Sequence, residues 1–411
     1  MTLFWVDEDR GVELRYRDLA EELSRREVRH PVVRTDDPAE LFVELLLGVL
    51  DGGDLVLLDS EFPDGTLSEI GYEPTDIDRT EPVRDVRVDD PGALPDRIEA
   101  ASDGWTLGLY TSGTTGTPDR VDQTLEGLTR SVRRDELFGD HVWAFAYNPS
   151  HFAGLQVFFQ AVMNLNPMVY VFERDPAGIG ESLREYGITH VSATPTFYRL
   201  RLGRLEGVYP TVERLTSGGE RFEPSLRERL EERFPNAEFR NVYALTEAGS
   251  LLESDGELFR IPPEYEDRIR VTGENELVVH ESLLGESTAR DLDGEWFHTG
   301  DLVEFAADDR FRFVGRESDF VNVGGYRVNP HEVEALINDV DGVAAAAVTA
   351  RESSVTGHVL VAEVQPAPSA DPQAVEEAVG EAVGGLERWK RPRLVDVVDE
   401  LNRSRSGKRV R

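Results

Sequence analysis

The chain has 411 residues, more than one hydrophobic core usually organises, which predicts a large domain followed by a smaller one. Its 80 acidic residues outnumber the 44 lysines and arginines, and the net charge of -36 is spread along the whole chain, which excludes nucleic acid and anionic membranes as partners. The absence of cysteine excludes disulfides, thiolate metal sites and a cysteine nucleophile.

The even spread of acidic residues is typical of a surface adapted to high salt, where screening removes much of the self-repulsion. We therefore expect a cytoplasmic protein from a halophile. The N-terminus, MTLFWVDEDR, has acids where a secretory signal needs cations, and the longest apolar stretch is interrupted by Glu44, so we expect a soluble protein. Two of the 44 basic residues are lysine, namely Lys390 and Lys408.

Helices and strands alternate through the first part of the chain. An amphipathic helix is predicted over VELRYRDLAEELSRR and a second over DPAELFVELLLGVLDGG, with Asp37 as its N-cap and Gly52 at its end. The buried strand DLVLLD follows, and the helix-then-strand order recurs at SLREYGITHVSAT and LRERLEERFPNAEFRNVYAL. This alternation predicts an α/β fold with layered subdomains and largely parallel sheets.

The pattern changes near residue 256 to short strands and turns, which predicts a β-rich subdomain at the end of the large domain. After FVGRESD a smaller α+β pattern begins, with helices over NPHEVEALINDV and DPQAVEEAVGEAVGGL and strands over VAAAAVTA and HVLVAEVQP. We therefore predict a large domain over residues 1–315 and a small domain over residues 316–411.

The segment YTSGTTGTPDR, residues 110–120, contains two glycines and, around them, the hydroxyl side chains of Thr111, Ser112, Thr114 and Thr115. The glycines allow unusual backbone angles, and the hydroxyls can donate hydrogen bonds to phosphate oxygens. The segment lacks the lysine and the spacing of a Walker loop, and taken alone it fits a polar surface turn better than a phosphate site. An acid, Asp119, stands where a cation would be expected.

Further segments decide the question, because together they resemble the ordered motifs of the adenylate-forming superfamily, which contains acyl-CoA synthetases, luciferases and peptide-synthetase adenylation domains. The segments, in chain order, are YTSGTTGTPDR (110–120), NPSHFAG (148–154), SGGE (217–220), VYALTEAG (242–249), WFHTGDL (296–302), FVGRESDFVNVGGYRVNPHEVE (313–334) and NRSRSGKRVR (402–411). The early helices and strand are also similar to the family, although the region before the phosphate loop is unusually short.

This resemblance implies a reaction in two steps. A carboxylate attacks the α-phosphate of ATP to form an acyl adenylate and pyrophosphate, and a thiol then takes the acyl group from AMP. The resemblance implies a small carboxylic acid and ATP as substrates, Mg²⁺ as cofactor, CoA as the thiol, and a small domain that moves between the two steps. Such chemistry depends on positioning and charge neutralisation more than on covalent help from the protein.

Roles for single residues follow from the same resemblance. Glu247 is expected to bind Mg²⁺, Thr246 to hydrogen-bond the α-phosphate, and Tyr243 to lie against adenine, while Asp301 and Arg316 hold the ribose. Catalytic roles are assigned to Lys408, Thr246, Glu247 and His151. Contacts with ATP or AMP are assigned to Thr111, Ser112, Gly113, Thr114, Thr115, Gly116, Arg120, Gly218, Gly219, Glu220, Tyr243, Asp301 and Arg316.

Composition strengthens the assignment of Lys408. The chain has replaced nearly every lysine by arginine, yet one lysine remains where the family has its adenylation lysine. A compact, mobile cation there can contact both the reacting carboxylate and the α-phosphate. The resemblance also implies a hinge at Ser318, with Gly324 and Gly325 lining the thiol tunnel, although two glycines are equally typical of a simple hairpin turn.

Three alternatives remain for the substrate and the function. The segment NPSHFAG lacks the acid that holds an amino group in peptide-synthetase adenylation domains, so an aryl or acyl acid is preferred to an α-amino acid, with o-succinylbenzoate as one candidate. The acceptor is CoA or the phosphopantetheine of a carrier protein. A relative that binds nucleotide without catalysis is a third possibility. The sequence does not indicate an oligomeric state.

Two hypotheses account for Asp119. Either Arg120, one residue further on, supplies the cation for the phosphates, or the hydroxyls and loop amides suffice together with Mg²⁺ and the salt of the medium. The first is preferred.

Overall fold

The structure is a computed structural model that describes residues 2–84, 86–101, 104–111, 118–222, 224–285, 292–306, 308–353, 357–367, 370–399 and 401. Within these residues the strands form five sheets. The elements up to residue 129 are β1 (Leu3–Asp7), β2 (Val12–Arg15), α1 (Tyr16–Arg25), β3 (Val28–Arg29), β4 (Val32–Val33), α2 (Pro38–Asp51), β5 (Leu55–Leu57), α3 (Asp64–Glu69), α4 (Pro74–Ile77), β6 (Glu81–Pro82), α5 (Leu94–Ala100), β7 (Thr106–Thr111), β8 (Asp119–Thr124) and α6 (Leu125–Thr129).

Helices and strands alternate most regularly between residues 143 and 254. The elements there are β9 (Trp143–Phe145), α7 (Phe152–Val162), β10 (Met168–Tyr170), α8 (Pro176–Glu185), β11 (His190–Ala193), α9 (Pro195–Leu200), β12 (Arg214–Gly218), α10 (Pro224–Arg233), β13 (Glu238–Leu245) and β14 (Gly249–Ser254). The alternation expected at SLREYGITHVSAT and LRERLEERFPNAEFRNVYAL is confirmed.

Shorter strands follow, and the last part of the chain is a smaller α+β unit. The elements are β15 (Ile269–Val271), β16 (Glu276–His280), β17 (Leu292–Asp293), β18 (Trp296–Phe305), β19 (Phe311–Arg316), β20 (Val321–Val323), β21 (Tyr326–Val328), α11 (Pro330–Asn338), β22 (Val343–Ser353), β23 (Gly357–Pro366), α12 (Pro372–Gly384) and β24 (Leu394–Val397). Among the short strands expected after residue 256, the segment ELFRI (257–261) forms only an isolated bridge between Phe259 and Phe311.

The largest sheet has the strand order β14-β13-β12-β11-β9-β10-β1-β2, with antiparallel edge strands and parallel pairing between them. One hydrophobic cluster packs its β1 and β9 residues against α1, α2 and α7, and another packs its central strands against α8, α9 and α10. Helices therefore cover both faces, as parallel sheets require. The predicted α/β class is confirmed.

Local signals account for several helix ends. Asp37 accepts a hydrogen bond from the Ala39 N–H at the start of α2, and Gly52 ends that helix in the left-handed region with φ 72°. These are the positions that the sequence predicted for its cap and its end. Among the described residues, no helix combines the length and the apolar character needed to cross a lipid bilayer.

A stacked pair of histidines lies at the edge where β9 and β11 begin. The rings of His141 and His190 are 3.8 Å apart, Trp143 lies 4.9 Å from His190, and the Thr189 hydroxyl contacts His190 Nδ1 at 2.8 Å. Burial lowers the pKa of His190 to about 3, and the neighbouring His141 and Arg214 act in the same direction. The folded protein therefore holds His190 neutral.

This arrangement predicts a loss of stability in acid. Between the ordinary pKa of 6.5 and about 3, the unfolded chain binds a proton at His190 that the folded chain does not bind. The free energy of unfolding should therefore fall by up to about 1.4 kcal/mol for each pH unit below 6.5. Denaturant unfolding at constant salt would measure it, and His190→Phe should flatten the slope. The matched variant His331→Phe, at a histidine whose side chain is 42% exposed, should leave the slope unchanged. Equal slopes in all three proteins would contradict the prediction.

Candidate active site

The central strands of the large sheet end at one edge, and the segments that follow them contain the predicted site residues. His151 follows β9, Gly218 ends β12 and is followed by Gly219 and Glu220, and Thr246 and Glu247 follow β13. The carboxyl ends of parallel strands form the crevice where open α/β sheets bind ligands. The topology therefore brings together residues from three distant sequence segments.

Thr246 and Glu247 lie in the turn between β13 and β14, which closes with Leu245 opposite Gly249. The turn is held from outside, because the Gly285 N–H donates to the Glu247 carbonyl at 2.8 Å and the Gln123 side-chain amide donates to the Thr246 carbonyl. Gly249 has φ 78°, a backbone conformation that other residues adopt only with strain. These contacts fix the backbone from which the Glu247 side chain extends.

The β-rich sheet contributes the second half of the site. Asp301 on β18 lies opposite Arg316 on β19, and the Arg316 Nε donates to Asp301 Oδ1 at 3.2 Å. The Tyr243 hydroxyl donates to Asp301 Oδ2 at 2.6 Å. Both carboxylate oxygens of Asp301 therefore have a donor, and Tyr243 connects the two sheets.

Further hydrogen bonds orient the turn before Asp301. The Thr299 hydroxyl donates to the Leu277 carbonyl at 2.7 Å and accepts from the Asp301 N–H at 3.0 Å. The Glu276 carboxylate accepts from the Gly300 N–H at 2.9 Å. Nothing in the sequence singled out Glu276, because its role depends on the pairing of β16 with β18.

Burial and the nearby positive charge of Arg316 have opposite effects on the pKa values of Asp301 and Glu247. Burial raises the pKa of Asp301, and Arg316 and the Tyr243 hydroxyl counter this only in part. Burial likewise raises the pKa of Glu247, with Asp301 and Asp119 adding to the rise and Arg316 opposing it. A divalent cation would relieve this crowding of negative charge, and hard carboxylate oxygens are the donors that Mg²⁺ prefers, so Glu247 fits a Mg²⁺ site. Among the described residues, no three histidine or acidic side chains form a complete metal cage.

The aromatic ring of Tyr243 has one face covered. It stacks on Phe313 with ring centres 4.1 Å apart and an interplanar angle of 18°. The prediction that Tyr243 lies against adenine therefore concerns the opposite face of its ring. Phe313 was not assigned a role from the sequence, since its contact with Tyr243 depends on how the two sheets pack.

Glycine is favoured at positions 218 and 219 for different reasons. A side chain on Gly218 would place its Cβ 3.2 Å from the Val242 carbonyl oxygen, so the close pairing of β12 with β13 favours glycine there. Gly219 has φ 80° and leads to Glu220, whose Oε2 accepts from the Thr196 N–H at 3.0 Å and from its hydroxyl at 2.6 Å. Glu220 thus ties the end of β12 to the start of α9.

The hypothesis that Arg120 supplies the missing phosphate cation does not agree with its side-chain position. Its Nε donates to Asp122 Oδ1 at 2.7 Å, and its guanidinium lies over Gly108. Because strand residues alternate between faces, Arg120 points away from the face of β8 that contains Asp119 and Gln123. The face of β8 with Asp119 and Gln123 is the one that contacts the Thr246 turn. The acid, and not the arginine, is directed toward Glu247.

Other predicted residues are placed as follows. Ser112, Gly113, Thr114, Thr115, Gly116 and Lys408 lie outside the described residues, and only the backbone of Thr111, at the end of β7, is described. Ser318 lies in a short 3₁₀ turn over Glu317–Asp319, between β19 and β20. Gly324 and Gly325, with φ 62° and 91°, form the two-residue hairpin turn between β20 and β21.

The fold and the site define a class: a nucleotide-binding α/β protein with a β-rich subdomain and a small α+β unit, whose acidic and arginine side chains meet beyond the carboxyl ends of parallel strands. The family model described as "AMP-binding enzyme" matches residues 46–273, and that described as "AMP-binding enzyme C-terminal domain" matches residues 332–408. The chain belongs to this AMP-binding, adenylate-forming family.

Individual relatives agree with this membership. A 2-succinylbenzoate–CoA ligase of Geobacillus kaustophilus is 30% identical over 335 residues, which cover 74% of this chain and 67% of the relative. Bacitracin synthase 3 of Bacillus licheniformis is 25% identical over 385 residues, 79% of this chain, but the match spans 6% of that much longer protein. The chain thus spans about two thirds of the first relative and a small part of the second.

A solved structure shows the same fold. The o-succinylbenzoate CoA synthetase of Bacillus subtilis, in complex with its acyl-adenylate intermediate, superposes with a TM-score of 0.70 at 18% identity, covering 100% of this chain and 94% of that chain.

Proposed function

We propose that the protein is an AMP-forming carboxylic acid:CoA ligase. The observation that supports this most strongly is the half-buried Glu247 beside the Asp301–Arg316 pair, at the carboxyl ends of the central strands, in a chain of the AMP-binding family. These groups suit a substrate with phosphate and ribose, because they supply one metal-binding carboxylate, one acceptor for sugar hydroxyls and one cation.

The reaction proceeds in two displacements. A carboxylate oxygen of the acid forms a bond to the α-phosphorus of ATP while the bond to the bridging oxygen breaks, and pyrophosphate leaves with the electron pair. The CoA thiolate then adds to the acyl carbonyl carbon, and AMP leaves. Mg²⁺ bound at Glu247 would neutralise phosphate charge. Asp301 holds the ribose, Arg316 keeps Asp301 oriented, and Thr246 donates a hydrogen bond to the α-phosphate.

The acid is proposed to be aromatic, with o-succinylbenzoate as the first compound to test. Support comes from the absence of an acid in residues 148–154, from small or apolar residues near the strand ends at Phe152, Ala193, Ser217, Gly218 and Ala244, and from the name of the 30% identical relative. We further propose a hinge at Ser318, with the Gly324–Gly325 turn lining the tunnel through which the thiol reaches the acyl adenylate.

The acidic composition supports a salt-adapted, cytoplasmic enzyme.

The test is acid-dependent exchange of labelled pyrophosphate into ATP, measured in molar KCl with o-succinylbenzoate, benzoate, a cinnamate and a fatty acid. The expected result is exchange with an aromatic acid, followed by thioester formation when CoA is added. Exchange without a CoA thioester would point to a carrier-protein acceptor, which the similarity to a peptide synthetase favours. Measurable ATP binding without exchange for any acid would overturn the ligase proposal in favour of a non-catalytic nucleotide-binding protein.

Replacing Asp301 by asparagine should weaken ATP binding. The amide keeps the shape but loses the charge that pairs with Arg316 and accepts from ribose, and a charge-assisted hydrogen bond contributes about 1.5–3 kcal/mol. We expect Asp301→Asn to raise KM for ATP about 10- to 100-fold in the exchange assay. The exposed Asp293 on the adjacent β17 offers a matched control, Asp293→Asn, which should leave KM for ATP unchanged. Equal values for the two variants would remove Asp301 from the ribose site.

A further inference from the structure

Asp59 joins the four-stranded sheet to the large sheet at the candidate site. It follows β5, and its side chain is 12% exposed. Its Oδ2 contacts His151 Nε2 at 3.0 Å and accepts from the Asn148 side-chain amide at 3.2 Å, while its Oδ1 accepts from the Glu61 N–H at 3.0 Å. The two partners on Oδ2 both come from the segment after β9, which contains the His151 to which the resemblance assigns a catalytic role.

The ionisation of Asp59 determines which nitrogen of His151 carries a proton. Burial alone would raise the pKa of Asp59, but the hydrogen bond from His151, with those from the Glu61 N–H and the Asn148 amide, holds it below its ordinary value. An ionised carboxylate only accepts hydrogen bonds, so Nε2 of His151 must be the donor. The remaining ring nitrogen, Nδ1, is then available to a ligand, and within the described part of the chain the structure records no hydrogen bond to it.

The backbone conformation around His151 determines the direction of its side chain. His151 precedes α7 with an extended backbone, φ -93° and ψ 150°, and makes no capping hydrogen bond with its side chain. Its N–H donates to the Asn148 carbonyl at 3.1 Å, and a Cβ on Gly154 would come within 2.5 Å of that same oxygen. The tight turn therefore requires glycine at position 154 and leaves the imidazole to pair with Asp59.

The residue after His151, Phe152, contacts the end of the turn that contains Glu247. The ring of Phe152, the residue after His151, lies 3.8 Å from where a Cβ on Gly249 would be. The His151 side chain is 33% exposed, so a substrate can reach it. The structure therefore gives a partly exposed histidine with a fixed hydrogen-bonding partner, in a segment whose next residue contacts the Glu247 turn.

We propose that Asp59 is a positioning residue for the carboxylic acid half of the reaction: it holds His151 in the Nε2–H tautomer, so that Nδ1 faces the acid substrate. The proposal rests on the ligase function proposed above. Its consequence is that Asp59 affects use of the acid and leaves the binding of ATP unchanged, because its two side-chain partners belong to the segment after β9 and not to the Asp301–Arg316 pair.

The variant Asp59→Asn tests this in the exchange assay. An asparagine amide can donate to Nε2 and so favours the opposite tautomer, with the proton on Nδ1. We expect kcat/KM for the acid to fall about 10- to 100-fold, as for other groups that orient a functional histidine, with KM for ATP within about twofold of the wild type. Asp64→Asn is the matched control, since Asp64 lies five residues further on with its side chain 99% exposed. Thermal unfolding midpoints show whether both variants are folded.

A double-variant cycle separates positioning from general structure. If Asp59 acts through His151, the double variant Asp59→Asn/His151→Gln should use the acid no worse than His151→Gln alone. Additive losses would overturn the proposal, because they would mean that Asp59 acts on something other than His151.

Imidazole nitrogen NMR gives a readout independent of activity. Long-range proton–nitrogen spectra should show His151, assigned by its absence in His151→Gln, protonated at Nε2 in the wild type and at Nδ1 in Asp59→Asn. An unchanged tautomer, or an unchanged kcat/KM for the acid, overturns the proposal. A wild type without exchange would overturn the ligase function instead, and the tautomer comparison would still decide whether Asp59 orients His151.

Discussion

Replacing Lys408 by alanine is expected to lower acyl-adenylate formation at least about 100-fold, the loss seen when one preorganised donor to a transition state is removed. A compact ammonium group can contact the attacking carboxylate and the α-phosphate at once, while negative charge moves between them. The chain keeps lysine here although it uses arginine at nearly every other basic position. Pyrophosphate exchange measures this step directly, and KM for ATP should change much less than kcat.

The other lysine is the matched control for this prediction. Lys390 donates to Glu332 Oε2 at 2.8 Å and lies on the small α+β unit, with its side chain 29% exposed. Lys390→Ala should keep the exchange rate within about twofold, since a partly exposed ion pair of this kind, away from the Glu247 turn, contributes little to stability. Lys408→Arg should not restore the rate, because the guanidinium is larger and planar. Comparable losses in Lys408→Ala and Lys390→Ala would contradict a specific role for Lys408.

Replacing Glu247 by glutamine should reduce exchange about 100- to 1,000-fold at ordinary Mg²⁺ concentrations, with partial recovery when Mg²⁺ is raised. The amide keeps the size of the side chain but loses the charge that a hard divalent cation requires. The turn itself should persist, because the hydrogen bonds that hold it involve the backbone carbonyls of Thr246 and Glu247. The measurement is the Mg²⁺ dependence of exchange in both proteins.

The raised pKa of Glu247 adds a pH dependence with a definite sign. Its protonated form does not bind Mg²⁺ well, so the Mg²⁺ concentration for half-maximal exchange should increase as the pH falls toward the raised pKa, and Glu247→Gln should lack this increase. Glu253→Gln, on the next strand and paired with Arg240 at an exposed position, should behave as the wild type. A half-maximal Mg²⁺ concentration that is unchanged in Glu247→Gln would show that another group binds the metal.

Elements with strong local signals were predicted correctly. The cap and end of α2 at Asp37 and Gly52 match, and α12 begins where expected, with Asp371 accepting from the Gln373 N–H. The first helix is a partial success, because the segment predicted as one helix is split into β2 and α1 at Arg15. There β2 pairs with β1, and that sheet contact overrides the helical pattern of residues 12–15.

In the candidate site, too, the sequence indicated some residues and the tertiary structure added others. Motif order indicated Glu247, Asp301, Arg316 and Tyr243, and the structure brings these four together. It also adds Phe313 behind Tyr243 and directs Arg120 to the far face of β8, which no pattern in YTSGTTGTPDR indicated. Neighbouring residues on a strand point to opposite faces, so only one of Asp119 and Arg120 faces the site. The sequence does not show which face of β8 packs against the Thr246 turn.

The sequence by itself determined the fold class and the family and indicated the candidate site residues, because apolar periodicity, helix caps and motif spacing depend on residues near one another in the chain. Only the tertiary structure decided which distant side chains meet. Asp59 and His151 are 92 positions apart and follow strands of different sheets, yet Asp59 Oδ2 and His151 Nε2 lie 3.0 Å from each other. Such a contact depends on strand order, register and the packing of two sheets, all set by the whole core and not by any local pattern.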